Sequence, residues 1–412
     1  MNLFRRPRDR LWLLSIAVAL TLLLLLLLLL LLSSQRSNTP NFSDTTDYDH
    51  RPLARRRTNM ASKGSTKSPP ILAYLILGTQ GKENKRMLRL LQSIYHPRNQ
   101  YLLYLDSSST RKERLELALL IHSQAIFQEF DNVDVVGKTY AVNQMAASGL
   151  AAVLHAAAVL LKISTDWDWF IPLSISDYPL LTQDDILYAF TSLPRDINFV
   201  GYTNDTFQLK NRKQNLSEIA IDPSLYLARK EPLFYAAESR EKPDAFRVFG
   251  GSRWMILSRS LMEHCVNGWD NLPRKLLMYF NNVAYPLESY FHTILCNTPE
   301  FRNTTVIVKK DDDDYNKHNT YHDSNIAMFG GAFEENDHLL REIDEQVLNR
   351  GTDRVVAGKW CKKTNDTQDF CSVVEDIDEV EEGHRGIELQ KSLSRAIQAS
   401  KSGVCDNILM HT

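Results

Sequence analysis

The sequence predicts an α/β fold with a mainly parallel sheet, because short apolar strands alternate with amphipathic helices. The predicted strands are residues 71–77, 101–105, 133–136 and 169–173. The segment after the first strand places its apolar residues on one helix face: Met87, Leu90, Leu91 and Ile94. A helix between two strands requires a crossover connection, which favours parallel pairing with helices on both faces of the sheet.

Further helices follow from the same patterns. Leu115 and Leu119 mark a second helix, and the alanines and leucines of residues 150–162 form a third. Thr182 and Ser258 each stand just before an apolar periodic segment, where a hydroxyl can accept a hydrogen bond from the first turn. We therefore expect both residues to cap helices.

Three residues follow predicted strands of this sheet: Gly78, Asp106 and Asp177. Ligands of open parallel sheets bind outside the carboxyl ends of the strands, so all three are candidates for a nucleotide site. Each also has a structural interpretation. Gly78 can serve a turn, Asp106 can cap the next helix, and the Asp-Tyr-Pro-Leu that begins at Asp177 can form a turn by itself.

Glu288 is the carboxylate that we single out, at the start of a helix predicted over residues 289–296. A negative charge is stabilised there by the helix dipole, so a capping role stays open beside a catalytic one. His292 lies four residues later and could share a metal with Glu288, but no second histidine pair follows and we predict no zinc site. Residues 311–314 are four aspartates flanked by lysines, and we interpret them as a solvated loop.

The N-terminal 69 residues differ from the rest of the chain. Residues 11–32 carry no charge and include eleven consecutive leucines, which predicts a transmembrane anchor; a cleaved signal peptide is the alternative. Residues 1–10 are basic and should stay in the cytosol. Residues 33–69 are polar and predict a luminal stem, which leaves residues 70–412 as one luminal domain.

Charge and cysteine content exclude several classes of protein. The chain has 48 basic and 50 acidic side chains, a net charge of −2, which disfavours nucleic acid as a partner. Its 43% hydrophobic content is enough to fill a core and excludes a disordered polyanion. An oxidising lumen permits disulfides with one thiol left over, although five buried free thiols are the alternative. The five cysteines are Cys265, Cys296, Cys361, Cys371 and Cys405.

Five glycosylation sequons are consistent with a luminal domain, although such short motifs also arise by chance. Their asparagines are Asn41, Asn204, Asn215, Asn303 and Asn365.

Six ordered segments of the globular part together resemble the core-2/I-branching glycosyltransferase family, especially its plant glucuronosyltransferases. They are residues 73–76, 95–101, 166–170, 174–180, 268–274 and 288–293. The likeness runs in order from about residue 71 to 308, which is far more specific than one short motif. It implies a GT-A-like nucleotide-sugar-binding fold and inverting transfer of a sugar from a UDP-sugar to a glycan hydroxyl.

The resemblance also implies roles on the donor side. Gly78 and Asp106 would line the uridine site. Asp177 stands where other GT-A enzymes carry a metal-binding Asp-x-Asp motif, and members of this family work without a metal or other cofactor. Lys317 is the best match to the basic side chains that balance the diphosphate charge instead.

On the acceptor side, Glu288 matches the catalytic glutamate of the family and is the expected general base. Arg253 and Trp254 lie in a segment that resembles the acceptor-binding strand. The polar stretch of residues 201–244 is then either an acceptor-facing insertion or a plain loop.

These expectations describe a type II Golgi membrane protein. Its predicted reaction moves glucuronic acid from UDP-glucuronic acid to galactan chains of arabinogalactan proteins. Transfer of N-acetylglucosamine or xylose is the alternative within the family. A third hypothesis is a catalytically silent, membrane-tethered glycan-binding protein. It follows from two departures from the family pattern: residues 309–315 replace an aromatic strand, and the acidic residues 334–335 stand where a basic side chain is expected.

Overall fold

A seven-stranded mixed sheet forms the centre of the computed structural model. The structure describes residues 68–203, 216–227, 229–310, 327–362, 371, 373–400, 405 and 408. The strands are β1 (Leu72–Gly78), β2 (Gln100–Leu105), β3 (Val133–Val135), β4 (Trp169–Ser174), β5 (Tyr178–Pro179), β6 (Asn198–Thr203), β7 (Glu218–Ile221), β8 (Phe234–Ser239), β9 (Met255–Ser258), β10 (Thr305–Lys310) and β11 (Phe329–Gly330). The central sheet has the order β10-β6-β9-β4-β1-β2-β3.

The prediction of a mainly parallel sheet is confirmed. β1 pairs in parallel with both β2 and β4, β2 pairs in parallel with β3, and β6 with β10. Only β9 runs antiparallel, between β4 and β6. The two strands β7 and β8 form a separate antiparallel hairpin, within the stretch that we predicted to be an insertion or a loop.

Helices connect and cover the strands. They are α1 (Asn84–Ser93), α2 (Arg111–Ser123), α3 (Ala125–Phe130), α4 (Ala147–Ile163), α5 (Gln183–Thr191), α6 (Arg259–Asn267), α7 (Asn271–Phe280), α8 (Tyr290–Asn297), α9 (Pro299–Arg302), α10 (His338–Glu342) and α11 (His384–Ala399). The predicted caps are confirmed: Thr182 accepts from Asp185 N at the start of α5, and Ser258 accepts from Leu261 N at the start of α6. Hydroxyl caps therefore fix where both helices leave the sheet.

Two details of the predicted helices were wrong. Helix α2 buries Leu117 and Ile121, whereas Leu115 and Leu119 are about 60% exposed. The helix after Glu288 begins at Tyr290, because residues Pro286–Glu288 form a separate 3₁₀ turn. Glu288 therefore stands two residues before the first helical residue, and Ser289 occupies the N-cap position of α8.

The segment 95–101, which carries part of the family resemblance, holds the amino-terminal edge of the sheet together. Asn99 accepts from Leu72 N with its side-chain oxygen at 3.1 Å, which ties the starts of β1 and β2. The hydroxyl of Tyr101 donates to Ile94 O at 2.7 Å and accepts from His96 N at 2.8 Å. These residues are fully or almost fully buried, so their role is structural.

All described residues belong to one compact unit, which spans residues 57–412. Within the described ranges, no helix has the length and hydropathy needed to cross a membrane. The predicted tail, anchor and nearly all of the stem lie outside these ranges, as do the sequon asparagines at 41, 204, 215 and 365. Asn303 is described and exposed.

The prediction of disulfides with one unpaired thiol is confirmed. Cys296 in α8 pairs with Cys405, 109 residues later, and Cys361 pairs with Cys371. Cys265 is the remaining free thiol. Cys296 and Cys405 pack with Phe249 and Ile408, so the first disulfide holds Cys405 beside α8.

The two disulfides should differ in their effect on stability. Closing a longer loop removes more entropy from the unfolded chain, by roughly 4.7 kcal/mol for 100 residues against roughly 3 for 15. We expect Cys296→Ala/Cys405→Ala to lower the free energy of unfolding by about 4–5 kcal/mol and Cys361→Ala/Cys371→Ala by about 3 kcal/mol. Urea unfolding of both double variants, with Cys265→Ala as the control, measures the difference. Equal losses would contradict the assignment of the 109-residue loop as the stronger constraint.

Candidate active site

The carboxyl ends of three neighbouring strands meet at one edge of the sheet. Gly78 ends β1, Asp106 follows β2, and Asp177 lies three residues after β4. The edge is held by backbone hydrogen bonds, since Asp106 N donates to Gly78 O at 3.0 Å. Parallel pairing on both sides of β1 therefore brings Gly78 and Asp106 together and places Asp177 at the same edge, as predicted.

Asp106 is completely buried and does not cap the next helix. Its carboxylate accepts from Ser108 N at 2.9 Å and from the Ser108 hydroxyl at 3.3 Å, while Thr110 caps α2. Burial raises the pKa of Asp106, and hydrogen bonds from Ser108 and Val142 oppose that rise. The carboxylate of Asp106 thus fixes the turn to Ser108 at the end of β2.

Glu83 is a second carboxylate at this edge, which sequence reasoning missed. It is 8% exposed and accepts from Gln80 N at 3.0 Å. A Cβ on residue 78 would lie 2.6 Å from its carboxylate oxygen, so a larger residue there would displace the Glu83 side chain. Burial raises the pKa of Glu83 to about 7, with Asp106 contributing, although Gln80 N–H and nearby cations oppose the rise.

The cations near Glu83 and Asp106 were also missed. Arg86 lies in the first turn of α1, close enough to lower the pKa of Glu83, and donates to the carbonyl oxygen of Phe333. Lys230, from the connection between β7 and β8, lowers the pKa of both Glu83 and Asp106. The position of Arg86 at the start of the helix after β1 was a usable signal, whereas only the tertiary structure brings Lys230 here.

Asp177 forms a tight turn that a later segment covers. Its carboxylate accepts from Ser174 N at 2.7 Å, and a Cβ on Gly331 would lie 2.6 Å from the other carboxylate oxygen. Phe333 N donates to Ser176 O at 2.8 Å, and β11 pairs with β5 directly after the turn. The turn thus spans residues 174–177, whereas the predicted turn beginning at Asp177 was wrong, because Tyr178 and Pro179 form β5. Lys317, predicted to act beside it, lies outside the described residues.

Glu288 is half-buried at the end of the 3₁₀ turn, and its backbone is fixed from two sides. Its N–H donates to Tyr285 O at 3.0 Å, and its carbonyl oxygen accepts from Gly251 N at 2.8 Å. The second bond joins Glu288 to the segment that contains Arg253 and Trp254. The structure therefore brings together the predicted base and the predicted acceptor-binding residues.

His292 packs against Gly201 and Gly251 as a neutral side chain. It is completely buried, its Nε2 lies 3.3 Å from Gly201 O, and burial lowers its pKa to about 4. A Cβ on Gly251 would lie 2.7 Å from that nitrogen, so the two residues pack in direct contact. Among the described residues, no group of three His, Cys, Asp or Glu side chains could hold a metal ion.

Arg253 and Trp254 differ in what they offer to a ligand. Arg253 is exposed and donates to the side-chain oxygen of Gln144 at 3.3 Å. Trp254 is half-buried against the main core, and its carbonyl oxygen accepts from Gly201 N at 3.0 Å. Arg253 is thus the residue of this pair that extends into solvent near Glu288.

The comparison with known proteins agrees with this geometry. The Core-2/I-Branching enzyme family matches residues 72–328, which is more than half of the chain. The chain belongs to this family. It is therefore a glycosyltransferase, and the resemblance seen in the six segments is confirmed.

Relatives within the family include two plant enzymes. Beta-glucuronosyltransferase GlcAT14A of Arabidopsis thaliana is 42% identical over 332 residues, which cover 77% of this chain and 74% of that protein. Beta-glucuronosyltransferase GlcAT14B of the same plant is 39% identical over 339 residues, 78% of this chain and 77% of that protein. Xylosyltransferase 1 of Rattus norvegicus is more distant, at 31% identity over 235 residues, 56% of this chain and 26% of that protein.

The raised pKa of Glu83 makes stability depend on pH in a defined direction. The folded chain holds this proton up to about pH 7, whereas the unfolded chain releases it near 4.5, so stability falls as pH rises between these values. Glu83→Gln removes that dependence and keeps an oxygen for Gln80 N. We expect the variant to lose less stability than wild type between pH 5 and pH 8, measured by urea unfolding.

Glu113→Gln is the matched control for this pH experiment. Hydrogen bonds from Thr110 lower the pKa of Glu113, so its contribution to stability is fully present above about pH 5 and does not change between pH 5 and pH 8. Other groups, such as His292, titrate equally in wild type and in both variants. An equal change in stability for wild type and Glu83→Gln would contradict the assignment.

Proposed function

We propose that this glycosyltransferase moves glucuronic acid from UDP-glucuronic acid to galactan chains of arabinogalactan proteins. The observation that carries the proposal is 39–42% identity, over more than three quarters of the chain, to two proteins named as beta-glucuronosyltransferases. The xylosyltransferase relative matches 56% of the chain at 31% identity, which makes xylose the weaker donor candidate.

In the proposed reaction, Glu288 removes the proton from the acceptor hydroxyl while the bond from that oxygen to the sugar C1 forms. A sugar hydroxyl is a poor nucleophile at neutral pH, and a positioned carboxylate increases its reactivity. Two backbone hydrogen bonds, to Tyr285 O and from Gly251 N, support this role because they hold Glu288 in one place. Inversion at C1 follows from a single displacement in which UDP leaves from the opposite face.

The donor would bind at the sheet edge, in a GT-A-like arrangement. Gly78 and Asp106 lie side by side at the ends of β1 and β2, and we assign both to the uridine site. Leaving UDP develops negative charge, which preorganised cations stabilise. The charges of Arg86 and Lys230 lower the pKa of Glu83, and Lys230 also lowers that of Asp106. We assign both cations to the diphosphate together with Lys317, without a metal ion.

We further propose a type II Golgi membrane protein, with residues 11–32 as the anchor and the catalytic domain in the lumen. The two disulfides support an oxidising compartment. Asn303 is exposed immediately after α9, where a glycan can be attached, and the other four sequons are proposed on their sequence alone.

A silent glycan-binding protein is the second candidate. Glu334 and Glu335 are exposed just after Phe333, whose carbonyl oxygen contacts Arg86, and they place negative charge near the proposed diphosphate site. Such charge opposes binding of an anionic donor. This candidate predicts glycan binding without turnover.

Replacing the proposed base tests the mechanism. Glu288→Gln keeps the shape and the two backbone hydrogen bonds but cannot accept a proton, so we expect kcat to fall roughly 10²- to 10⁴-fold. UDP release by the full-length protein in detergent, with UDP-glucuronic acid and a galactan acceptor, gives the rate. Glu300→Gln, an exposed carboxylate in α9, is the control and should retain wild-type activity. A loss of only a few-fold for Glu288→Gln would disprove the assignment.

Chelation and donor substitution test the remaining parts of the proposal. Cations supplied by side chains are not removed by EDTA, so we expect the rate to be unchanged in its presence. We expect UDP-glucuronic acid to give a higher kcat/KM than UDP-xylose or UDP-N-acetylglucosamine. Dependence on added manganese would contradict the metal-free assignment, and preference for another donor would contradict glucuronic acid.

A further inference from the structure

The hairpin of β7 and β8 exposes large aromatic side chains to solvent. Tyr226 is 76% exposed, and Phe234 and Tyr235 are each 51% exposed. Single exposed apolar residues need no explanation, so the contacts of each ring decide which of them belongs to a binding surface.

The hairpin is fixed to the segment that leads into Glu288. Ala220 N donates to Asn282 O at 3.0 Å, and the Asn282 side chain donates back to Ala220 O at 3.2 Å. The guanidinium of Arg240 lies 4.1 Å from the centre of the Tyr279 ring and also donates to Asn282 O. The position of the hairpin relative to Glu288 is therefore set by several independent contacts.

Tyr235 lies on the side of the hairpin that faces this segment. It is directly opposite Ala220 in the β7–β8 register, so both side chains project from the same face, and Ala220 is 1% exposed. The hydrogen bonds between Ala220 and Asn282 place this face of the hairpin beside the chain that continues to Tyr285. The pKa of Tyr235, which is raised by burial and then by Glu218 and Tyr285, agrees with that position. Phe234 lies opposite Ile221 on the other face and is not part of this surface.

Tyr285 has an unfavourable backbone conformation three residues before Glu288. Its φ of 54° and ψ of 47° are left-handed, which a side chain with a Cβ seldom adopts. Its N–H donates to Met145 O at 2.8 Å, and its hydroxyl lies 3.5 Å from the Met145 sulfur. Such conformations concentrate at ligand sites, where the surrounding contacts hold them.

Met145, which contacts Tyr285, leads to polar groups at Gln144 and Arg253. Met145 is 48% exposed and follows Gln144, whose side chain accepts from Arg253. Aromatic faces, a thioether and hydrogen-bonding groups thus lie together around Tyr285, three residues before Glu288. This mixture suits a sugar chain, because sugar rings present C–H groups on their faces and hydroxyls at their edges, while a ring of tyrosine has a negative face and a polar tip.

We propose that Tyr235 and Tyr285 form a second acceptor subsite, which binds the sugar unit next to the one deprotonated by Glu288. The ligand is a neutral oligosaccharide chain. The proposal rests on the proposed function and adds the prediction that longer acceptors are preferred. Binding energy from a remote unit is used in the transition state as well as in the ground state, so it raises kcat/KM for long acceptors.

Acceptor length provides the test. Full-length protein in detergent is assayed with UDP-glucuronic acid and β-linked galactan oligosaccharides of two and six units. We expect wild type to prefer the six-unit acceptor about tenfold in kcat/KM, and Tyr235→Ala and Tyr285→Gly to reduce that ratio to about one. Trp269→Ala is the matched control, because Trp269 is 95% exposed but precedes α7, about 15 Å from the residues that follow this helix.

Stability measurements separate loss of the subsite from misfolding. Glycine accepts the left-handed conformation, so Tyr285→Gly should melt no lower than wild type although it lacks the ring. A melting temperature equal to that of wild type, with a collapsed length ratio, supports the subsite. An unchanged ratio in both variants overturns it. If Tyr235→Ala instead converts a dimer to a monomer and leaves the ratio intact, the surface is a self-association site and the proposal is wrong.

A separate binding measurement tests the subsite if the proposed glucuronosyl transfer does not occur. If wild type shows no turnover with any UDP-sugar, binding of the six-unit galactan is measured by calorimetry. Binding that is weakened about tenfold by Tyr235→Ala but not by Trp269→Ala supports the subsite while rejecting the reaction. No binding by wild type, or equal binding by all three proteins, overturns the subsite as well.

Discussion

Parallel pairing of β1 with both β2 and β4 is the constraint on which the site depends. Each strand in this group runs in the same direction, so Gly78 and Asp106 must end side by side and Asp177 must lie at the same edge. The opposite edge is closed by buried side chains such as Asn99 and Tyr101, which bind backbone groups. One edge is therefore rigid scaffold, and the other carries the polar groups that a nucleotide-sugar requires.

The C-terminal part of the chain stabilises the turn after β4. Asp344 receives two hydrogen bonds from Arg350, at 2.9 and 3.0 Å, and one from the Tyr178 hydroxyl at 2.6 Å. Burial raises the pKa of Asp344, but these donors and Arg89 outweigh it and lower the pKa. Loss of one of these donors would leave the buried charge of Asp344 partly unpaired, which costs free energy of folding. The hydrogen bond to Asp344 therefore restrains Tyr178 and the neighbouring Asp177. The disulfide from Cys296 to Cys405 restrains the end of α8 in a similar way.

Prediction succeeded where local patterns control the outcome. The apolar runs of the strands, the hydroxyl caps at Thr182 and Ser258, and the glycine at the end of β1 are each specified within a few residues. It failed at α2, because its leucines and isoleucine surround the helix on several sides, and only packing selects Leu117 and Ile121 as the buried face. It also failed at the start of α8, where Tyr285 and Pro286 impose a separate turn that no periodicity reveals.

The sequence by itself determined the fold class, the family and the identity of the carboxylates at Asp106 and Glu288, since strand order and short motifs are local properties. Only the tertiary structure decided which groups stand beside them. Lys230, which lies more than one hundred residues after Asp106, lowers the pKa of that carboxylate. Tyr285 raises the pKa of Tyr235, which belongs to a separate two-stranded sheet. Such contacts follow from the docking of the hairpin onto the chain before Glu288, through Ala220 and Asn282, and local sequence does not encode that docking.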